Sequence, residues 1–138
     1  MENIEQSLLG LGQFSLYFVA ALILLLIFKF VYAVITPHDE WKLVKEDQNI
    51  AAAIGFTGAI IGFAIALSSA INHSISLIDF IIWAAIALVA QCIAFAIVRF
   101  VFLPQVVRRI REKETSAGII LAGTCIAVGL INAACMSY

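Results

Sequence analysis

Two sets of polar residues in this chain could carry chemistry. The first is the stretch Pro37, His38, Asp39, Glu40 and Trp41. Histidine and carboxylates ligate metals. Three adjacent side chains cannot all converge on one ion, however, and no further His or Cys stands close by to complete a set. The stretch reads as a capped interfacial turn, ahead of a metal site or a surface for a cytoplasmic partner or lipid headgroups. The second set lies inside apolar runs: Lys29, Thr57, Gln91, Arg99, Thr124 and Asn132. Such residues line the polar path of a channel or transporter, because intramembrane polar groups face protein or water and not lipid. Lys29 lies about two turns before Pro37, and Arg99 holds the comparable place before Pro104. Both stems can snorkel to an interface, so two anchors is the simpler reading. Gln91 should face protein, since an unsatisfied amide in hydrocarbon is costly.

Other reaction classes lack their residues. Cys92, Cys125 and Cys135 show neither a CxxC nor a Cys/His spacing for zinc. They read as structural, with only Cys135 placed where it could be oxidised. No GxSxG or HExxH occurs, and no phosphate-cradling glycine loop follows a strand. No carboxylate pair falls inside an apolar run to relay protons. The expectation is that the protein is not an enzyme and needs no cofactor or metal.

Four apolar stretches must position these residues. The chain has 138 residues, 64 % of them apolar and 12 % charged. A soluble domain is nearer 45–50 % apolar, so the solvent of this chain is lipid. The spans run from about Leu8 to Ile35, Asn49 to Ile71, Ile78 to Leu103 and Ala117 to Met136. Each can cross a hydrocarbon core of about 30 Å. They fill one membrane domain, residues 1–138. The start has no positively charged n-region, so the first span is expected to be retained. Asp47, Gln48 and Asn49 are expected to cap the second helix, and Thr115 and Ser116, after Glu114, the fourth.

The second span carries Gly58, Gly62 and Ala66 four residues apart. The fourth carries Gly118, Ala122, Gly129 and Ala133, with Cys125 where Gly58 would be. Small residues at this spacing let another helix backbone approach closely. The pattern does not say whether the partner is in the same chain or in a second copy. A shift of 67 positions aligns Pro37 with Pro104, Asp47 with Glu114, Thr57 with Thr124 and Gly62 with Gly129. The fold expected is all-α and membrane-spanning, two tandem parallel two-helix repeats over about 8–71 and 77–136.

All eight Lys and Arg residues lie in or beside the loops 36–49 and 104–116. Short basic loops stay on the cytoplasmic side, which puts both termini outside. Two spans return the chain to its starting side. The repeats would therefore share one orientation, about an axis along the membrane normal. Arg108, Arg109, Arg111 and Lys113 make the second loop the stronger attractor of anionic lipid, with Val106, Val107 and Ile110 resting on the membrane surface. No basic patch is interleaved with exposed aromatics, so no nucleic-acid partner is expected.

At TPHDEW (Thr36 to Trp41), at Asn49 to Ala52 and at NAACMSY (Asn132 to Tyr138) the sequence resembles an uncharacterised bacterial inner-membrane family, the YjfL-like proteins. The likeness covers the whole chain. It implies four helices in the inner membrane, where the loop charges would make both termini periplasmic, and supplies no catalytic residues, the family being a domain of unknown function. Genes of the family often sit near those of membrane-associated stress proteins, which implies a role in envelope maintenance. The reading that follows is a helix-packing, homo-oligomerising membrane component whose loops meet a peripheral protein or anionic lipid. The alternative is a homo-oligomeric channel or small-solute transporter.

Overall fold

A computed structural model describes residues 2–36 and 40–136. Its described elements are all helical: α1 Glu2–Ile35, α2 Glu40–Lys45, α3 Ile50–His73, α4 Leu77–Ile97 with a π-helical continuation Val98–Phe102, α5 Val106–Arg111 and α6 Thr115–Cys135. The chain thus runs long, short, long, twice over. In lipid every backbone amide must find its partner within the segment, which makes helix the stable state of an uninterrupted apolar run. Four of the helices are long and apolar enough to cross a membrane: α1, α3, α4 with its π turn, and α6.

Local chemistry sets most of the ends. Asn49 caps α3, its Oδ1 accepting the Ala52 N–H at 3.1 Å. Ser76 caps α4 through the Asp79 N–H, and Asp79 in turn accepts the Ile75 N–H. The start of α6 differs from expectation. Glu114 is the cap residue, without a side-chain capping bond. Its carboxylate instead takes a hydrogen bond from Arg109 Nε, and Ser116, inside the helix, accepts from Arg109 at 3.3 Å. An ion pair has displaced the cap. The first helix also begins earlier than Leu8, with Glu2 and Glu5 in its first turn, where negative charge suits the helix dipole.

The helices that precede the two prolines of the sequence end differently. α1 stays α-helical up to Ile35. α4 widens into a π turn, in which the Leu103 N–H reaches back to the Val98 carbonyl at 2.8 Å. Leu103 itself sits at φ −145°, ψ 79°, outside the α region, as a residue before proline must.

The bundle is organised on α3, which packs along α6 and also meets α1, α2 and α4. α1 joins through the C-terminal part of its length. Phe28 stacks on Phe63 with ring centroids 4.5 Å apart, and Tyr32 meets the edge of Phe95 at 5.9 Å. The N-terminal half of α1 is exposed apart from Tyr17, whose ring lies 5.7 Å from that of Phe80. At 1.5 Å per residue its 34 residues extend about 51 Å, well beyond the hydrocarbon core.

α3 and α6 run parallel with their backbones in contact. A Cβ added to Gly58 would strike Ala122, one on Gly118 would strike the Ala51 carbonyl, and one on Gly129 would strike Gly62. A Cβ on Gly62 would collide with the Cys125 carbonyl and come within 2.7 Å of Gln91 Nε2. Ala51 with Gly118, and Gly62 with Gly129, are pairs that the 67-residue shift equates. The small-residue faces of α3 and α6 therefore meet each other within one chain. Gly123, by contrast, faces open space.

The contrast is testable. Gly62→Leu should cost roughly 3 kcal/mol or more, because backbone opposite it cannot yield as a side chain would. Gly123→Leu should change stability by less than about 0.5 kcal/mol. Thermal unfolding followed by helical circular dichroism in detergent reads both. Equal midpoints for the two variants would dismiss the seam.

Candidate functional site

The chemistry-bearing residues fall into two places, the seam within the spans and the end of the bundle that carries α2 and α5. At the seam, polar side chains reach from one helix to the backbone of another. Gln91 on α4 is 1 % exposed and donates through Nε2 to the Cys125 carbonyl on α6 at 3.1 Å. Its Oε1 is buried and has no hydrogen-bond partner among the described residues. Asn132 on α6 donates to the Ala87 carbonyl on α4 at 3.2 Å. Ser69 on α3 donates to the Ala133 carbonyl on α6 at 2.8 Å. Ala66 and Ala122 are buried beside these contacts.

The other intramembrane polar residues are not brought to Gln91. Thr57 is exposed on α3 and lines a shallow outer groove with Ile50, Ile54, Ile61 and Ile126. Thr124 bonds its own helix at the Ile120 carbonyl, 2.9 Å away. Lys29 and Arg99 are half-buried near the basic end. Their cations lie over the neighbouring Phe30 and Phe100 rings, at 5.0 Å and 5.4 Å from the centroids. Gln91 and Asn132 thus share the α4–α6 contact, and the remaining four residues lie elsewhere.

At the basic end, Asn49 has a second role. Its Nδ2 donates to the Ile110 carbonyl of α5 at 2.6 Å, so one side chain caps α3 and holds α5 to it. Val106 and Ile110 are buried and Val107 is half-buried. These three were expected on the membrane surface; the first two instead pack into the protein, because α5 turns its apolar face inward. Arg109 is engaged with Glu114 and Ser116. Arg108 pairs with Gln105 Oε1 and lies 3.9 Å from Glu112. Lys113 is exposed at φ 64°, where the chain turns into α6.

Pro37, His38 and Asp39 lie outside the described residues, and Glu40 and Trp41 open α2. Among the described residues no three His, Cys, Asp or Glu side chains come together. The cysteine thiols are separate: Cys92 half-buried, Cys125 buried, Cys135 exposed. The ties from Ser69 to Ala133 and from Asn49 to Ile110 had no warning in the sequence. Each joins residues more than sixty positions apart, and a serine or a capping asparagine looks the same with or without such a partner.

The two buried amides should respond differently to removal. Asn49→Ala gives up a cap and an inter-element bond, for a loss of about 1–3 kcal/mol. Gln91→Leu keeps the volume and removes an orphaned acceptor. A membrane interhelix hydrogen bond contributes only about 0.6 kcal/mol, so stability should stay within about 1 kcal/mol. Unfolding midpoints in detergent decide, and a collapse of Gln91→Leu would contradict this account.

Residues 6–136 match the family described as Domain of Unknown Function (DUF350). The chain is 41 % identical over 129 residues to UPF0719 inner membrane protein YjfL of Escherichia coli strain K12, covering 94 % of this chain and 96 % of that one. The protein of the same name from Escherichia coli O157:H7 matches to the same extent. No solved structure matches. Four apolar helices of spanning length, in a chain so similar to an inner-membrane protein, make this a multi-pass inner-membrane protein, and it belongs to the DUF350 family.

Proposed function

We propose that the protein works by association: a closely packed inner-membrane component that presents its basic end to a peripheral partner on the cytoplasmic side, within a module that maintains the envelope. The observation that carries this reading is the use made of the polar groups in the spans. Gln91, Asn132 and Ser69 each donate to a neighbouring helix backbone, as side chains that lock helices together do. The cations collect instead at the end where α2 and α5 lie. The eight Lys and Arg residues, all in or beside the two loops there, support a cytoplasmic placement of that end.

Two-fold construction belongs to the same proposal. The doubled long–short–long order and the meeting of Ala51 with Gly118 and of Gly62 with Gly129 support an axis along the membrane normal. Because the glycine faces are occupied within the chain, a homo-oligomer would form through other faces, of which exposed α1 offers the longest.

One observation favours the second reading, a homo-oligomeric channel or transporter. A buried acceptor such as Gln91 Oε1 is unusual and suits a site that a solute or water completes.

Two measurements test the proposal. Alkaline phosphatase fused after Tyr138 should be active, and a fusion within 104–116 inactive; the reverse pattern would put the basic end outside and end the reading. The mass of the protein in a lipid disc with its own lipids retained should correspond to a monomer or dimer. A closed ring, with flux through it that Gln91→Leu or Lys29→Leu abolishes while assembly persists, would establish the channel instead.

A further inference from the structure

We propose that the elbow between α4 and α5 binds the phosphate group of an anionic phospholipid, held by Arg99, Arg108 and Arg111. These arginines line a recess of about 340 Å³ with Pro104, Gln105 and Val107. Among the described residues no carboxylate lines it. Three arginine side chains border one opening, and a guanidinium turned into it offers the planar, paired donors that phosphate oxygens accept.

The fold explains why these three gather and Arg109 does not. Val106 and Ile110 stand one turn apart on α5 and are both fully buried, which fixes the roll of that helix. Asn49 holds it there through the Ile110 carbonyl. Arg108 and Arg111, three residues apart, then share a face. Arg109 is turned away to Glu114 and Ser116. From the other side, the π turn and Pro104 end α4 so that Arg99 borders the same recess. The sequence pattern grouped Arg108, Arg109, Arg111 and Lys113 as one basic run. The structure leaves Arg109 and Lys113 outside the recess and adds Arg99.

The surroundings identify a lipid and not a soluble phosphate. Arg99 belongs to a membrane-spanning segment, Leu77–Phe102, near the end from which an arginine can snorkel to headgroup depth. Phe100, Val101 and Phe102 beside it are 71, 69 and 60 % exposed, an apolar wall suited to acyl chains that inorganic phosphate has no use for. The headgroup must compete with existing contacts. Arg108 is held by Gln105 and lies near Glu112, and Arg111 has a contact of its own. Arg108 is largely exposed, so its exchange of partners is inexpensive.

This goes beyond the association reading and would stand without any peripheral partner. The experiment is lipid retention by native mass spectrometry, titrating detergent-purified protein with phosphatidylglycerol or phosphatidylcholine. Wild type should prefer phosphatidylglycerol. Arg99→Gln and Arg108→Gln should each weaken its retention about fivefold, and Arg109→Gln less than about twofold. Arg108→Gln alters an exposed side chain, so it serves even if Arg99→Gln fails to fold. An equal loss in Arg109→Gln would replace the site with diffuse charge. Equal retention of the two lipids would also overturn it, as would displacement of phosphatidylglycerol by millimolar inorganic phosphate.

Discussion

Lipid tails are as apolar as leucine, so nothing in a bilayer drives apolar helices together as water would. Everything in this fold depends on how α3 and α6 overcome that. They do it by letting backbone touch backbone at Gly58, Gly62, Gly118 and Gly129. Close approach multiplies dispersion contacts, each small and all additive, without fixing long side chains. The larger residues pack around this seam. Phe28 and Tyr32 bring in α1, while Phe80, Phe95 and Ala84 bury one face of α4. The outward Ile, Leu and Phe residues remain exposed, as expected where the solvent is hydrocarbon.

The hydrogen bonds across the seam act on geometry more than on energy. Gln91, Asn132 and Ser69 all donate to backbone carbonyls, which are already bound within their own helices. Each adds about half a kilocalorie per mole, yet each is met only at one register and one roll of the helices. Dispersion at a small-residue face tolerates sliding by a turn. The amides do not. Gln91 in particular lies against Gly62 and the Cys125 carbonyl at once, so α3, α4 and α6 are set relative to one another at one point.

How far the sequence foretold this varies with the range of the interaction. The four spans, the Asn49 cap and the small-residue faces follow from runs and spacings a few residues long, and they are legible. That the two faces meet in one chain is not, because GxxxG has the same form inside a chain and between chains. The diversion of Glu114 from cap to ion pair depends on Arg109, which is five residues away and competes for the carboxylate. Proline 37 and proline 104 look alike in sequence. Only α4 yields to a π turn, and no local signal separates Tyr32–Ile35 from Arg99–Phe102. The burial of Val106 and Ile110 likewise depends on what lies beneath α5, which a connector rich in arginine conceals.

Asn49 gives the basic end its mechanical character. A six-residue helix such as α5 has no stability of its own in water. It persists because Val106 and Ile110 are buried and because Asn49, itself fixed as the cap of α3, grips the Ile110 carbonyl. The elbow is therefore an extension of the α3–α6 seam and not a loose loop above it. A ligand or partner that engages Arg108 and Arg111 meets side chains whose backbone is already ordered, so little further conformational entropy is lost on binding. The same connection runs in reverse. Anything that shifts α3 against α6 moves Asn49, and with it the face that the arginines present.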